Sequence, residues 1–237
     1  MAPGGFQGFT CELADAARGS LVLESSKWLG IGTFKTASPG YLTLMHLGTD
    51  GLGRQPNKPV AVKRMYVRRA MPTEANPNGW AINRLTAPDE YRKTLMEANI
   101  LLWADSIMDL TYSFIHHFIE NSAQPPPLEI PKVCFVRAGV AVVHRQITGP
   151  VTASTSTLCR TYLIEELINE QKDGFYKFMN NGSAVPLPSM NESVSALAEF
   201  LSFTQHVQYH KTKALIYLSD LQGTLKLSTD PQIMTAP

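Results

Sequence analysis

The chain has 237 residues, 44% of them hydrophobic, which is enough to build one large domain or two lobes around a real core. Its 21 Lys and Arg residues nearly balance its 20 Asp and Glu residues, so the composition gives no support for a nucleic-acid-binding protein. Three dispersed cysteines and an N-terminus without signal-peptide features lead us to expect an intracellular, cytoplasmic protein. No apolar run reaches membrane-spanning length, and we expect no membrane partner.

The first half of the chain predicts a β-rich region followed by one long helix. Residues 1–19 are Gly-rich and are expected to form a flexible lead-in, and residues 71–84 are expected to form a loop. A helix is predicted to begin near Thr86, because Pro88 and the acidic residues after it suit a first turn. Apolar runs predict strands at residues 21–23, 28–29, 41–44, 59–67, 133–136, 140–143 and 162–168, with 133–136 and 140–143 paired as a hairpin.

Two features of the predicted strands suit a bound phosphate. Gly30 and Gly32 form a Gly-x-Gly turn that allows backbone N–H groups to approach a phosphate, and Lys35 follows them. Lys63 lies in the Val-Ala-Val-Lys core of the predicted strand at 59–67 and is either an edge lysine facing water or a cation directed at phosphates. Its position after the glycine turn favours the second interpretation.

Glu97 lies within the predicted long helix and has two interpretations. Its carboxylate either pairs with Lys93, one helical turn earlier on the solvent side, or orients Lys63.

The C-terminal part predicts a helix and then a strand that ends in oxygen-bearing side chains. Capping-box spacing at Ser189 opens a helix that runs to about residue 209, with His206 near its end. The strand at 214–218 is followed by Asp220 and Gln222, and Asp230 comes ten residues later. Carboxylate and carboxamide oxygens suit Mg²⁺, although a plain hairpin with turn residues would also use Asp and Gly here.

In their order, these motifs resemble the atypical alpha-kinase family, which includes myosin heavy-chain kinases and the elongation-factor-two kinase. Residues 218–223 and 229–233 are similar to the family's signature almost letter for letter, and the resemblance spans residues 29–233. It implies an α+β, two-lobed kinase-like fold. The β-rich N-terminal lobe with one long helix is expected at 20–160, and a smaller, incomplete lobe is expected at 161–237.

The resemblance implies ATP-dependent phosphorylation of serine or threonine in a protein substrate. Lys63 would hold phosphate oxygens of ATP, Lys35 would reach another phosphate, and Gly30 and Gly32 would form the phosphate loop. Glu97 would pair with Lys63. The backbone of Glu165 and Leu167 would contact the adenine base.

The resemblance also assigns metal and acceptor roles. Asp220 and Gln222 would hold Mg²⁺, and Asp230 would orient or deprotonate the acceptor hydroxyl, with the division of roles between the two aspartates left open. His206 resembles a zinc ligand of the family, whose other zinc ligands follow beyond the point where this sequence ends. We therefore expect His206 to interact with the helix dipole, and zinc to bind only where those ligands are present.

Two alternatives to this function remain open. In the first, the chain is a catalytically impaired, pseudokinase-like module that binds ATP without transfer, or an enzyme fragment that lacks the family's substrate loop and zinc site. In the second, it is an unrelated α+β binding protein.

Overall fold

The computed structural model describes residues 16–24, 26–49, 51–76, 78–124, 126, 129–146, 156–168, 174–188, 191–225, 227–229 and 232–235. The chain divides into two compact units, one formed by Met1–Asn99 with Arg137–Leu167 and the other by Ile100–Val136 with Ile168–Pro237. Within these ranges, the helices are α1 (Ala87–Glu120) and α2 (Glu192–Lys211). The strands are β1 (Gly19–Leu23), β2 (Gly30–Ile31), β3 (Lys35–Leu44), β4 (Lys58–Met65), β5 (Val67–Ala70), β6 (Trp80–Asn83), β7 (Cys134–Phe135), β8 (Ala138–Gln146), β9 (Ser156–Glu166), β10 (Tyr176–Lys177), β11 (Ile216–Ser219), β12 (Gln222–Gly223), β13 (Leu227–Thr229) and β14 (Gln232–Thr235).

The first unit is built on a six-stranded antiparallel sheet. Its strands follow the order β1-β3-β4-β9-β8, and β2 pairs with β3. Because successive side chains point to opposite faces of a strand, the register divides the sheet into two chemically different faces. One face carries a buried apolar cluster of Leu42, Val60, Val62, Tyr162 and Ile164. The other face carries Lys35 and Lys63.

The expected loop at residues 71–84 is only partly correct, because it contains a strand. β6 pairs with β5 as an antiparallel ribbon. The Trp80 ring stacks on Tyr66 with centroids 6.0 Å apart, and the Arg68 guanidinium lies 4.5 Å from the centre of the Trp80 ring. Contacts with these neighbours stabilise β6, which is too short and combines apolar and polar residues too irregularly to show the alternation typical of a strand.

The expected hairpin of residues 133–136 and 140–143 is wrong. β8 pairs with β9 in the first unit, whereas β7 pairs in parallel with β13 in the second. Short apolar runs indicate a strand but not its partner.

The second unit combines α2 with short strands. The expected cap residue Ser189 lies outside the described residues, and the structure shows Asn191 as the N-cap, whose side chain accepts a hydrogen bond from the Val194 N–H. The strands form a four-stranded sheet in the order β10-β12-β13-β7 and a separate β11-β14 pair. Across the described segments of the chain, neither helix is long and apolar enough to cross a lipid bilayer.

Candidate functional site

A buried lysine–carboxylate pair lies on the sheet face opposite the apolar cluster. Lys63 on β4 is 7% exposed, and its Nζ lies 2.8 Å from Oε2 of Glu165, which is 1% exposed. Lys63 pairs directly with Leu163, so Glu165 lies two residues along β9 on the same face. This diagonal position is within reach of a long side chain, and the register therefore explains the pair.

A second lysine on the same face has a carboxylate partner from α1. Lys35 on β3 pairs with Met65, and Ala37, two residues along, pairs with Lys63, so both lysines point to one side of the sheet. Lys35 Nζ donates a 2.6 Å hydrogen bond to Oε2 of Glu97. The contact that the structure shows for Glu97 is therefore neither of the two expected from sequence, since its partner is Lys35 rather than Lys63 or Lys93.

The glycine turn leaves space beside the backbone. Gly30 lies in β2 opposite Ala37, and the Gly32 N–H donates to the Lys35 carbonyl at 2.9 Å. In the described part of the chain, a Cβ built on Gly30 would meet no atom within 4 Å, and one on Gly32 would meet the Lys35 carbonyl oxygen at 3.5 Å. Packing within the unit therefore does not require glycine at either position, which leaves room for a ligand to approach the backbone.

Glu165 and Leu167 lie at the end of β9. The backbone of Glu165 is paired with Ala61 of β4 and Ala138 of β8. Glu166 is the last residue of β9, and Leu167 follows it. Their contact with an adenine base stays a prediction.

In the second unit, Asp220 lies in the short turn between β11 and β12, and Gln222 is the first residue of β12. Asp220 has φ of 54°, a left-handed conformation that Asp tolerates better than most side chains. Lys177 pairs with Gln222 in the β10–β12 register, and Lys177 Nζ lies 2.8 Å from Oδ1 of Asp220. The two expected metal-binding residues are thus close in the chain, and sequence reasoning missed the ion pair between Asp220 and Lys177. Asp230 lies outside the described residues.

Two glutamines of α2 hold the strand that leads to Asp220. Gln205 Nε2 donates to the Leu218 carbonyl at 2.6 Å, and Gln208 Oε1 accepts from the Leu218 N–H at 2.8 Å. Gln208 Nε2 also donates to Thr111 Oγ1 at 3.2 Å. Both glutamines are buried, so the backbone of β11 is fixed two residues before Asp220.

Replacing Gln208 with leucine should lower the free energy of unfolding by about 2 kcal/mol, because the buried Leu218 N–H loses its acceptor. The measurement is a urea titration. Glu199→Leu, an exposed site on the same helix, is the matched control and should change the free energy of unfolding by less than about 0.5 kcal/mol. Equal unfolding midpoints for the two variants would show that the glutamine does not stabilise β11.

Magnesium and zinc fit the residues differently. The oxygen atoms of Asp220 and Gln222 are a hard donor set of the kind that Mg²⁺ prefers. His206 is exposed on α2, with its ring edge-on to His210 at 4.6 Å between centroids. Within the described ranges, no three His, Cys, Asp or Glu side chains come together as a metal site. A structural zinc site needs four ligands, so the described residues do not form one around His206.

Sequence and fold comparisons agree with each other. The model of the alpha-kinase family matches residues 89–237, which is more than half of the chain. No curated protein matches the chain in sequence.

Three solved structures share the fold at low sequence identity. The alpha-kinase domain of myosin heavy chain kinase A in complex with AMP is 14% identical, with a TM-score of 0.51, over 92% of this chain and 77% of that one. The C-terminally truncated alpha-kinase domain of myosin heavy chain kinase is 15% identical, with a TM-score of 0.52, over 91% and 76%. The complex of the kinase A domain with ADP is 14% identical, with a TM-score of 0.50, over 92% and 75%. The expected α+β kinase-like fold is confirmed, and the chain belongs to the alpha-kinase family.

Proposed function

We propose that this chain is an ATP-dependent protein kinase that phosphorylates serine or threonine. The observation that carries the proposal is the buried Lys63–Glu165 pair on the face of the sheet opposite the apolar cluster. Removing a lysine from water costs several kcal/mol, and a carboxylate partner offsets only part of that cost. A buried cation of this kind is typical of a site that binds an anionic ligand.

The first unit supplies groups that would bind ATP. Lys63 donates to phosphate oxygens, as the strand lysine of a kinase does, and Lys35 reaches a second phosphate. Glu97 acts through Lys35, as a positioning residue. Gly30 and Gly32 give backbone N–H groups access to the phosphates, and the backbone around Glu165 and Leu167 holds the base.

The second unit supplies groups for the transfer step. Asp220 and Gln222 would hold Mg²⁺, which neutralises charge on the phosphoryl oxygens. Asp230 either accepts the proton of the substrate hydroxyl or orients that hydroxyl. The hydroxyl oxygen forms the new bond to phosphorus as ADP leaves. Lys177 holds the Asp220 carboxylate in the short turn.

The proposal predicts transfer of labelled phosphate from ATP to a generic basic protein. Asp220→Ala and Asp230→Ala should each lower that transfer by about 100-fold or more, since each removes a group that acts in the transfer step. Asp109→Ala, an exposed aspartate on α1, is the control and should leave the rate unchanged. Equal transfer by all four proteins would overturn the assignment.

A nucleotide-binding module without transfer is the second candidate. The observation that favours it is the Lys177–Asp220 ion pair, because a metal ion at Asp220 competes with the ammonium. ATP binding without labelled product would support this candidate. An unrelated α+β binding protein is excluded, because the chain belongs to the alpha-kinase family. The lobe boundaries at 20–160 and 161–237 and the cytoplasmic location stay predictions.

A further inference from the structure

A cavity of ≈ 250 Å³ lies in the first unit, on the sheet face opposite Lys63. We call it the arginine cavity, since three arginines line it. Its lining includes Arg64, Arg84, Arg160, Thr36, Trp28 and Tyr162.

The strand register separates this cavity from the proposed nucleotide-phosphate groups. Thr36 and Arg64 are direct partners across β3 and β4 and alternate with Lys35 and Lys63. Residues that alternate along a strand point to opposite faces of the sheet. The arginine cavity is therefore independent of the proposed ATP site.

The arginine cavity contains more positive than negative charge. Arg64 Nε donates to Glu90 Oε1 at 2.6 Å, and the Glu90 carboxylate is fully buried. Arg84 donates to the Thr36 hydroxyl and to the carbonyl oxygens of Arg64 and Met65, which are uncharged acceptors. Within the described ranges, Glu90 is the carboxylate that contacts these arginines, which leaves two positive charges to be balanced.

The neighbouring positive charge affects the pKa of Arg84. Burial is the largest cause that lowers the pKa of Arg84, and the neighbouring Arg64 charge lowers it further. Arg84 nevertheless stays protonated, because a guanidinium group is too basic to lose its proton in a protein. An anion in the arginine cavity would relieve this repulsion.

We propose that the arginine cavity binds a phosphomonoester group. A phosphomonoester carries about two negative charges at neutral pH, which matches the charge excess. Planar guanidinium groups donate two parallel hydrogen bonds to phosphate oxygens, and the Thr36 hydroxyl adds a polar group to the wall.

The size and the aromatic wall define what carries the phosphate. The volume lies below the roughly 300–1,000 Å³ of pockets that enclose drug-sized ligands, so the cavity takes a phosphoryl group with a small apolar body. Trp28 is 49% exposed and lines the cavity beside the buried Tyr162, so it is accessible to an aromatic or aliphatic body. Both a free small phosphomonoester and a phosphorylated side chain have this chemistry.

Calorimetric titration of the full chain with phenyl phosphate in phosphate-free buffer tests the proposal. Arg160→Gln should weaken binding by about 10- to 100-fold, which is the loss expected for one charge-assisted hydrogen bond. Arg160 is exposed, so this variant should fold. Arg69→Gln, an exposed arginine of β5 outside the cavity, is the matched control and should bind as the wild type does. No binding at millimolar phenyl phosphate, or equal affinity of the two variants, would overturn the proposal.

Two further titrations distinguish a free small phosphomonoester from a phosphorylated side chain as the ligand of the arginine cavity. Trp28→Ala should weaken binding of phenyl phosphate while leaving binding of inorganic phosphate unchanged. A phosphothreonine peptide that binds more tightly than phenyl phosphate, and loses affinity in Arg160→Gln, would support a phosphorylated side chain. Binding of phenyl phosphate alone would support a small metabolite-like phosphomonoester. Phosphate binding that is lost in Lys63→Met/Glu165→Gln but kept in Arg160→Gln would place the ligand on the other face and contradict the proposal.

Discussion

Replacing Glu90 with glutamine should lower the free energy of unfolding by about 3–5 kcal/mol, the range for removing one partner of a buried ion pair. The Glu90 side chain is fully buried, and its two oxygen atoms accept from Arg64 and from the Thr161 N–H at 3.0 Å. β4 and β9 pair as far as Lys63 and Leu163, so Glu90 supplies an acceptor just where that pairing ends. Glutamine keeps an acceptor for Thr161 but leaves the Arg64 charge without its carboxylate.

The measurement is chemical denaturation monitored by circular dichroism. Glu120→Gln, on the same helix but exposed and paired with His116 at 3.8 Å, is the matched control and should cost less than about 1 kcal/mol. Adding Arg64→Met to Glu90→Gln should recover part of the loss, because the uncompensated charge is then removed as well. A loss no larger than that of Glu120→Gln would show that the pair does not hold the end of β4.

Replacing Lys63 with methionine should lower the free energy of unfolding by a similar amount, about 3–5 kcal/mol, because the buried Glu165 carboxylate loses the ammonium that lies 2.8 Å from it. Adding Glu165→Gln should recover most of that stability, since the double variant removes both charges. Lys58→Met, at the other end of β4, is the control and should cost less than about 1 kcal/mol. Stability that stays low in the double variant would mean that Lys63 acts through other contacts.

The sequence predicted the residues of the proposed site better than it predicted their partners. Lys63 was expected on a buried strand and is found there. Its partner Glu165 was missed, because the contact depends on the register between β4 and β9, which lie about a hundred residues apart in the chain. A shift of one residue in register would move Glu165 to the opposite face, and no local pattern specifies that choice.

The turn at Asp220 shows the same division between local and long-range information. The apolar run at 214–218, followed by Asp-Leu-Gln-Gly, predicted a strand and then a polar turn, and β11 begins two residues later than that run and ends one residue beyond it. Lys177 was not connected to this turn, because β10 is a two-residue strand whose pairing with β12 has no periodic signal. The arginine cavity was missed for a related reason, since Arg64, Arg84 and Arg160 come from three separate segments.

The measurement that tests the central claim most directly is a calorimetric titration of Lys63→Met/Glu165→Gln with ATP and Mg²⁺, compared with Glu165→Gln alone and with Lys58→Met. If Lys63 holds the phosphates, the double variant binds ATP about 10- to 100-fold more weakly than Lys58→Met, while both proteins remain folded. Glu165→Gln alone keeps the lysine and should retain most of the affinity. Equal affinity of the double variant and Lys58→Met would contradict the account, because the buried lysine would then take no part in binding ATP.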